Sequence, residues 1–166
     1  MTDSRVRVDA FVELFDHSLE EDAVEFDRRQ WHSMMGNLKS CRPEDWDALP
    51  PGAVRNIREL VHHVGGCYLM YENYGFGDRT MTWDRTLQGV TADGTIEETL
   101  TWLREAHRTF RESLASITDD QLDELTYGHW GRQLPRRRVV ELMLQHGIYH
   151  AGEINHLRCL LQGNDG

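Results

Sequence analysis

The chain has 166 residues, 28% charged and 39% hydrophobic, which is enough to bury one core without disulfides and short for two. Its formal net charge of -10 argues against nucleic-acid partners and an anionic membrane surface, which need a broad basic face; Cys41, Cys67 and Cys159, widely spaced with no CxxC pair, argue against a disulfide framework or a thiolate zinc site. No apolar run approaches ~20 residues, and the acidic start lacks the order of a secretory signal, so one cytoplasmic domain over residues 1–166 is expected.

Val8, Phe11, Phe15 and Leu19 recur at helical spacing, Glu20-Glu21-Asp22 interrupts them, and Phe26, Trp31, Met34, Met35 and Leu38 resume the apolar content. The pattern predicts one long first helix with a break near Glu20. From Arg42 to Gly52 the prolines Pro43, Pro50 and Pro51 predict a connection holding one short helical turn around Trp46. A second helix is expected from about Val54 to Tyr74, with Ile57, Leu60, Val64, Cys67, Met70 and Tyr71 on its buried side and Gly75 and Gly77 ending it. Asp78 to Gly94 shows little periodicity and reads as a long loop, of the kind that crosses the end of a bundle or covers a site.

Thr95 and Glu98 form a capping box that opens a third helix, whose stripe is Ile96, Leu100, Leu103, His107, Phe110, Leu114 and Ile117. Thr118 with Gln121 can cap a short helical piece, and Tyr127 to Gln133 reads as a glycine-containing loop. Pro135 stands near the start of a fourth helix that runs to about Leu161, before Gly163. Arg136-Arg137-Arg138 in its first turns reads as a solvated face. Four amphipathic helices and no convincing alternating strand predict an all-α four-helix bundle with a long loop between helices two and three.

The histidines carry the chemistry. Advancing ~100° per residue, His150 and Glu153 lie within about 40° of His146 on the fourth helix, whereas His156 and Cys159 turn away. On the second helix Leu60, Cys67, Met70 and Tyr74 lie within about 60° of His63, and His62 is displaced by ~100°. A lone histidine on an apolar face is usually a core residue with its nitrogens hydrogen-bonded. Three inward imidazoles on two helices are costly to bury unpaired, and a divalent cation would satisfy them together. Spacing alone leaves both readings open. Cys67, one turn after His63, is either a soft ligand or a small buried hydrophobe, and the latter is the commoner role. His107, on the core stripe of the third helix, is either a satisfied core histidine or a proton handler.

The run Ile57-Arg58-Glu59-Leu60-Val61-His62-His63-Val64, together with His146-Gly147-Ile148-Tyr149-His150-Ala151-Gly152-Glu153-Ile154-Asn155-His156, resembles the DinB/YfiT-like superfamily. In that superfamily one histidine of the second helix and an HxxxH pair of the fourth bind a divalent metal, commonly zinc or nickel. The resemblance therefore implies His63, His146 and His150 as ligands. Glu153 stands where relatives commonly carry glutamine, and could approach the ion or orient a ligand. The Pro43-Glu44-Asp45-Trp46 connection is also similar to the metal-binding domain of mycothiol-dependent maleylpyruvate isomerases. Val54 or Arg55 stands where those proteins often have tryptophan, so neither their thiol nor their substrate carries over.

Several relatives are thiol S-transferases. The resemblance thus implies a metal-dependent transferase or hydrolase-type enzyme that activates a low-molecular-weight thiol or a water molecule toward a small-molecule substrate, with Glu153 or His107 handling protons. The rival expectation is a non-catalytic metal-binding protein of stress response or partner recognition. A homodimer paired through a helix face is compatible with the acidic surface.

Overall fold

In the computed structural model, which describes residues 4–20, 33–88, 90 and 93–164, the chain is mostly helical. Four long helices dominate: α1 (Val6–Leu19), α3 (Ile57–Gly75), α5 (Ile96–Ala115) and α6 (Arg136–Gln162). Helices α5 and α6 each pack against both α1 and α3, closing a four-helix ring; α2 (Met34–Lys39) leans on α6, and α4 (Trp83–Thr86) on α3. The expected all-α fold is present. No helix among the described residues is long and apolar enough to cross a membrane.

The predicted break near Glu20 is real: α1 stops at Leu19, and Glu20 is extended at ψ 150°. Helical structure is seen again at Met34, where the Ser33 side chain accepts the Gly36 N–H. Phe26 and Trp31, assigned to the same helix from sequence, lie outside the described residues. The start of α1 is capped from elsewhere. Asp119, in the connection after α5, accepts hydrogen bonds from the backbone N–H groups of Arg7 and Val8 at 3.0 Å each, and from the Ser4 hydroxyl at 2.6 Å. These are amides that no preceding helical turn can satisfy.

Between the helices, Phe15 stacks on Phe110 at 4.8 Å and meets the edge of Tyr68 at 5.3 Å, while Leu103, Leu114, Val64 and Ile154 fill the remaining core. Trp46 is buried beside the predicted short turn, a 3-10 helix over Pro43–Asp45. Arg58 fixes this connection to the bundle. Its guanidinium donates to both Asp47 carboxylate oxygens (2.6 and 3.0 Å), to the Gly94 carbonyl (2.7 Å) and to Thr99 Oγ1 (3.2 Å), so three segments are tied to the first turn of α3. Hydrogen bonds made by a buried charged group are among the stronger ones in a fold.

Two expectations need correction. The region around Tyr127 to Gln133 is not simply a loop: β1 (Leu125–Tyr127) and β2 (Gln133–Pro135) pair antiparallel, with Thr126 opposite Leu134. Three-residue strands are too short to show alternation, and the hairpin is held from outside by Thr126 Oγ1, which donates to the Tyr74 carbonyl at 2.8 Å. Arg136, at 17% side-chain exposure, also departs from the solvated-face reading, whereas Arg137 and Arg138 remain exposed in surface ion pairs. Arg136 donates to the Gly75 and Gln121 carbonyls (3.0 and 2.7 Å) and pairs with Glu124, while Arg137 and Arg138 pair with Asp123 and Glu141.

The long loop after α3 contains α4, and it is held against α3 by close approach. A Cβ on Gly66 would lie 3.0 Å from Thr86 Oγ1, so a side chain there would push α4 outward. This contact places Trp83 and Leu87 beside the His63 face of α3.

Candidate metal centre

Helix α3 begins at Asn56, whose side chain accepts the Glu59 N–H while Glu59 Oε2 accepts the Asn56 N–H, both at 2.9 Å. This reciprocal cap sets the helix phase two turns before His63. Helix α6 runs 27 residues with His146 and His150 near its middle. Between them Gly147 lets α6 close on α3, since a Cβ there would meet Tyr68 Oη at 3.0 Å. The two helices thereby bring imidazoles 83 positions apart into contact.

The ring nitrogens converge. His146 Nε2 lies 3.1 Å from His63 Nε2 and 3.2 Å from His150 Nε2. Cys67 Sγ joins them, 3.7 Å from His146 Nε2 and 4.0 Å from both ring nitrogens of His63. The ligand atoms of His63, Cys67 and His146 all fall within 4.8 Å of one another, a grouping that could hold a metal ion. Tetrahedral zinc, with bonds of ~2.0–2.1 Å to nitrogen and ~2.3 Å to sulfur, places nitrogens about 3.3 Å apart and nitrogen from sulfur about 3.6 Å. The separations among His63, Cys67 and His146 match those edges to within a few tenths of an ångström, so these residues fit such an ion, and His150 joins them through its 3.2 Å approach to His146.

Hydrogen bonding alone serves this cluster poorly. His150 Nδ1 donates to Glu153 Oε2 at 2.7 Å, and in the neutral ring this tautomer leaves the lone pair on His150 Nε2. His146 Nε2 carries either one proton or one lone pair, yet it faces two neighbouring nitrogens. A cation at their centre would take all three lone pairs. Burial, reinforced for His63 by the charges of His150 and Arg55, pushes its pKa down to about 4; burial together with His150, His63 and Arg55 pushes His146 down to about 3. Both rings are therefore neutral, and able to ligate, at pH 7. Burial lifts the Cys67 thiol up to about 12, so without a cation it stays protonated.

Glu153 sits behind His150 as an orienting carboxylate, an arrangement that fixes the tautomer of a metal-binding histidine. Glu153→Leu, which leaves the His150 Nδ1–H without its acceptor, should retain the fold and weaken zinc affinity by about 10- to 100-fold. Competition with a fluorescent chelator measures this, and unchanged affinity would remove the orienting role.

His107 is elsewhere. Its Nε2 donates to the Phe15 carbonyl at 3.0 Å, and its ring stacks on Phe15 at 4.2 Å and meets the edge of Tyr68. Among the described residues it has no ring contact or hydrogen bond with His63, His146 or His150, and these partners are those of a core histidine. Cys67, which sequence favoured as packing, is the group brought into the cluster instead; its one available signal was the four-residue spacing from His63.

Beside His63 opens a cavity of about 490 Å³, lined also by Arg55, His62, Trp83 and Leu87. The loop after α3 thus supplies a wall, as a loop of that length suggested. None of the residues that line the cavity comes from the hairpin; its His129 ring packs edge-to-face with Trp83, centroids 5.2 Å apart.

No curated protein matches the chain by sequence. A family model described as the DinB superfamily matches residues 27–154, a span that includes His63, Cys67, His146, His150 and Glu153. With most of its length matched, and with histidines of its second and fourth long helices meeting as that family's pattern implies, the chain belongs to the DinB superfamily.

Proposed function

We propose that this chain is a metal-dependent enzyme of the transferase or hydrolase type, with His63, His146 and His150 holding a divalent ion, zinc or nickel, and a low-molecular-weight thiol or water as the attacking group. The observation that supports it is the convergence of three imidazole Nε2 atoms at 3.1 and 3.2 Å next to a cavity large enough for a small molecule. When bound, such an ion supplies a Lewis acid that lowers the pKa of a thiol or water in its open position toward neutrality. The chain's own residues do the remaining work. Glu153 fixes His150 in the tautomer that offers Nε2, and by accepting a hydrogen bond from its Nδ1–H keeps the ring basic. The cavity wall of Trp83 and Leu87 presents apolar surface to a substrate and restricts water beside His63.

A second reading has one observation in its favour. If Cys67 supplies a fourth donor, as its 3.7 Å approach to His146 allows, the ion has a closed three-nitrogen, one-sulfur set, which is the arrangement of structural sites. The chain would then be a non-catalytic metal-binding protein. Incubating the zinc-loaded chain with glutathione, cysteine or mycothiol and the electrophile 1-chloro-2,4-dinitrobenzene separates the two. Turnover abolished by a chelator and restored by zinc is expected; stoichiometric zinc with no turnover above buffer in Cys67→Ala as well as the native chain would favour the second reading.

A further inference from the structure

Arg55 lines the cavity beside His63, one residue before the cap of α3. It makes no hydrogen bond or ion pair with any described residue, and the reason is local: Glu59, four residues on, has its carboxylate engaged with the Asn56 N–H at 2.9 Å. The nearby Asp47 is taken by Arg58. In a chain of net charge -10, where nine other arginines pair with carboxylates among the described residues, Arg55 is left unpaired on the cavity lining. His62 also lines the cavity, and its Nε2 is buried with no hydrogen-bond partner. The same cavity is lined by Trp83, Leu87 and Val54, which are 45%, 41% and 91% exposed.

We infer that this cavity binds a small carboxylate with an apolar body, its anionic end held by Arg55 and its body laid against Trp83 and Leu87. A guanidinium offers two parallel donors to one planar carboxylate. Arg55 is the only arginine or lysine lining the cavity among the described residues, and a single guanidinium matches one negative charge, while Glu59 on the same lining adds repulsion that a dianionic phosphate would feel twice. The volume of about 490 Å³ accommodates a phenyl-sized body together with its acid. The inference rests on the proposed enzyme only for what happens to the ligand next; binding itself requires the cavity alone.

The test uses 4-phenylbutanoate and its uncharged counterpart 4-phenylbutanamide, titrated into zinc-loaded and chelator-treated chain while the Trp83 indole N–H resonance is followed. The acid should bind about tenfold tighter than the amide, or more, in both forms. Arg55→Gln, at an exposed position, should erase that preference and leave amide binding unchanged. Equal affinity of acid and amide would overturn the inference, as would tighter binding of phenyl phosphate than of the acid. An acid preference that survives in Arg55→Gln also overturns it, because the ion would then be the group holding the carboxylate. If no thiol turnover is ever found while the Arg55-dependent preference stands, the enzymatic reading fails and this one is supported.

Discussion

Replacing His146 with alanine should strip the chain of its metal. His146 Nε2 is the atom that both other imidazoles and Cys67 Sγ approach, at 3.1, 3.2 and 3.7 Å, so its removal leaves no shared centre. Structural zinc in small domains binds with an apparent ~10–16 kcal/mol, and an equal share among four donors is about 3 kcal/mol each, or roughly 100-fold in affinity. The native chain is expected to take up about one zinc per chain, as elemental analysis after dialysis would show, and His146→Ala to retain far less. His156→Ala serves as the control, since that side chain lies exposed on the same helix. Equal zinc in all three proteins would place the ion elsewhere.

Acid should destabilise the metal-free chain well above the pH at which carboxylates titrate. His63 and His146 have pKa values lowered by burial to about 4 and about 3, against 6.5 for a free imidazole. Below pH 6.5 the unfolded chain therefore binds protons at these rings that the folded chain refuses. The stabilising contribution is present above 6.5 and is lost as pH falls toward 4 and then 3. Each ring contributes at most ~1.4 kcal/mol per pH unit, and water at the half-buried His63 reduces its share. A net loss of about 2–3 kcal/mol between pH 7 and 5 is expected. Burial lowers His62, His107 and His129 in the same direction, so the His63→Leu, His146→Leu double variant should keep a shallower slope. Urea unfolding in chelator-containing buffers measures both profiles, and a flat native profile would show that the rings are not shielded.

Local sequence chemistry made several elements legible. Thr95 with Glu98 marked the start of α5 because both halves of its capping box lie within four residues, and Gly163 marked the end of α6, where it adopts φ 67°. The same reading placed the second helix from Val54, missing that Asn56 and Glu59 form an equivalent box that starts it at Ile57. The imidazole cluster was legible because helical geometry alone turns His63, His146 and His150 inward. What escaped was set by tertiary approach: Cys67 entered the cluster, and Trp83 and Arg55 became cavity wall, only once α4 and α6 had closed on α3. The β1–β2 hairpin escaped for a related reason, since Thr126 is held by a carbonyl 52 positions away.

The cap that Asp119 lends to α1 gives that helix a borrowed beginning. Its leading amides depend on a segment more than a hundred positions along the chain, so α1 has little means of starting by itself and should condense onto an assembled α3–α5–α6 framework. In the folded protein the two segments form one cooperative unit, and whatever loosens the turn after α5 exposes the amides of Arg7 and Val8 to solvent exchange at the same rate.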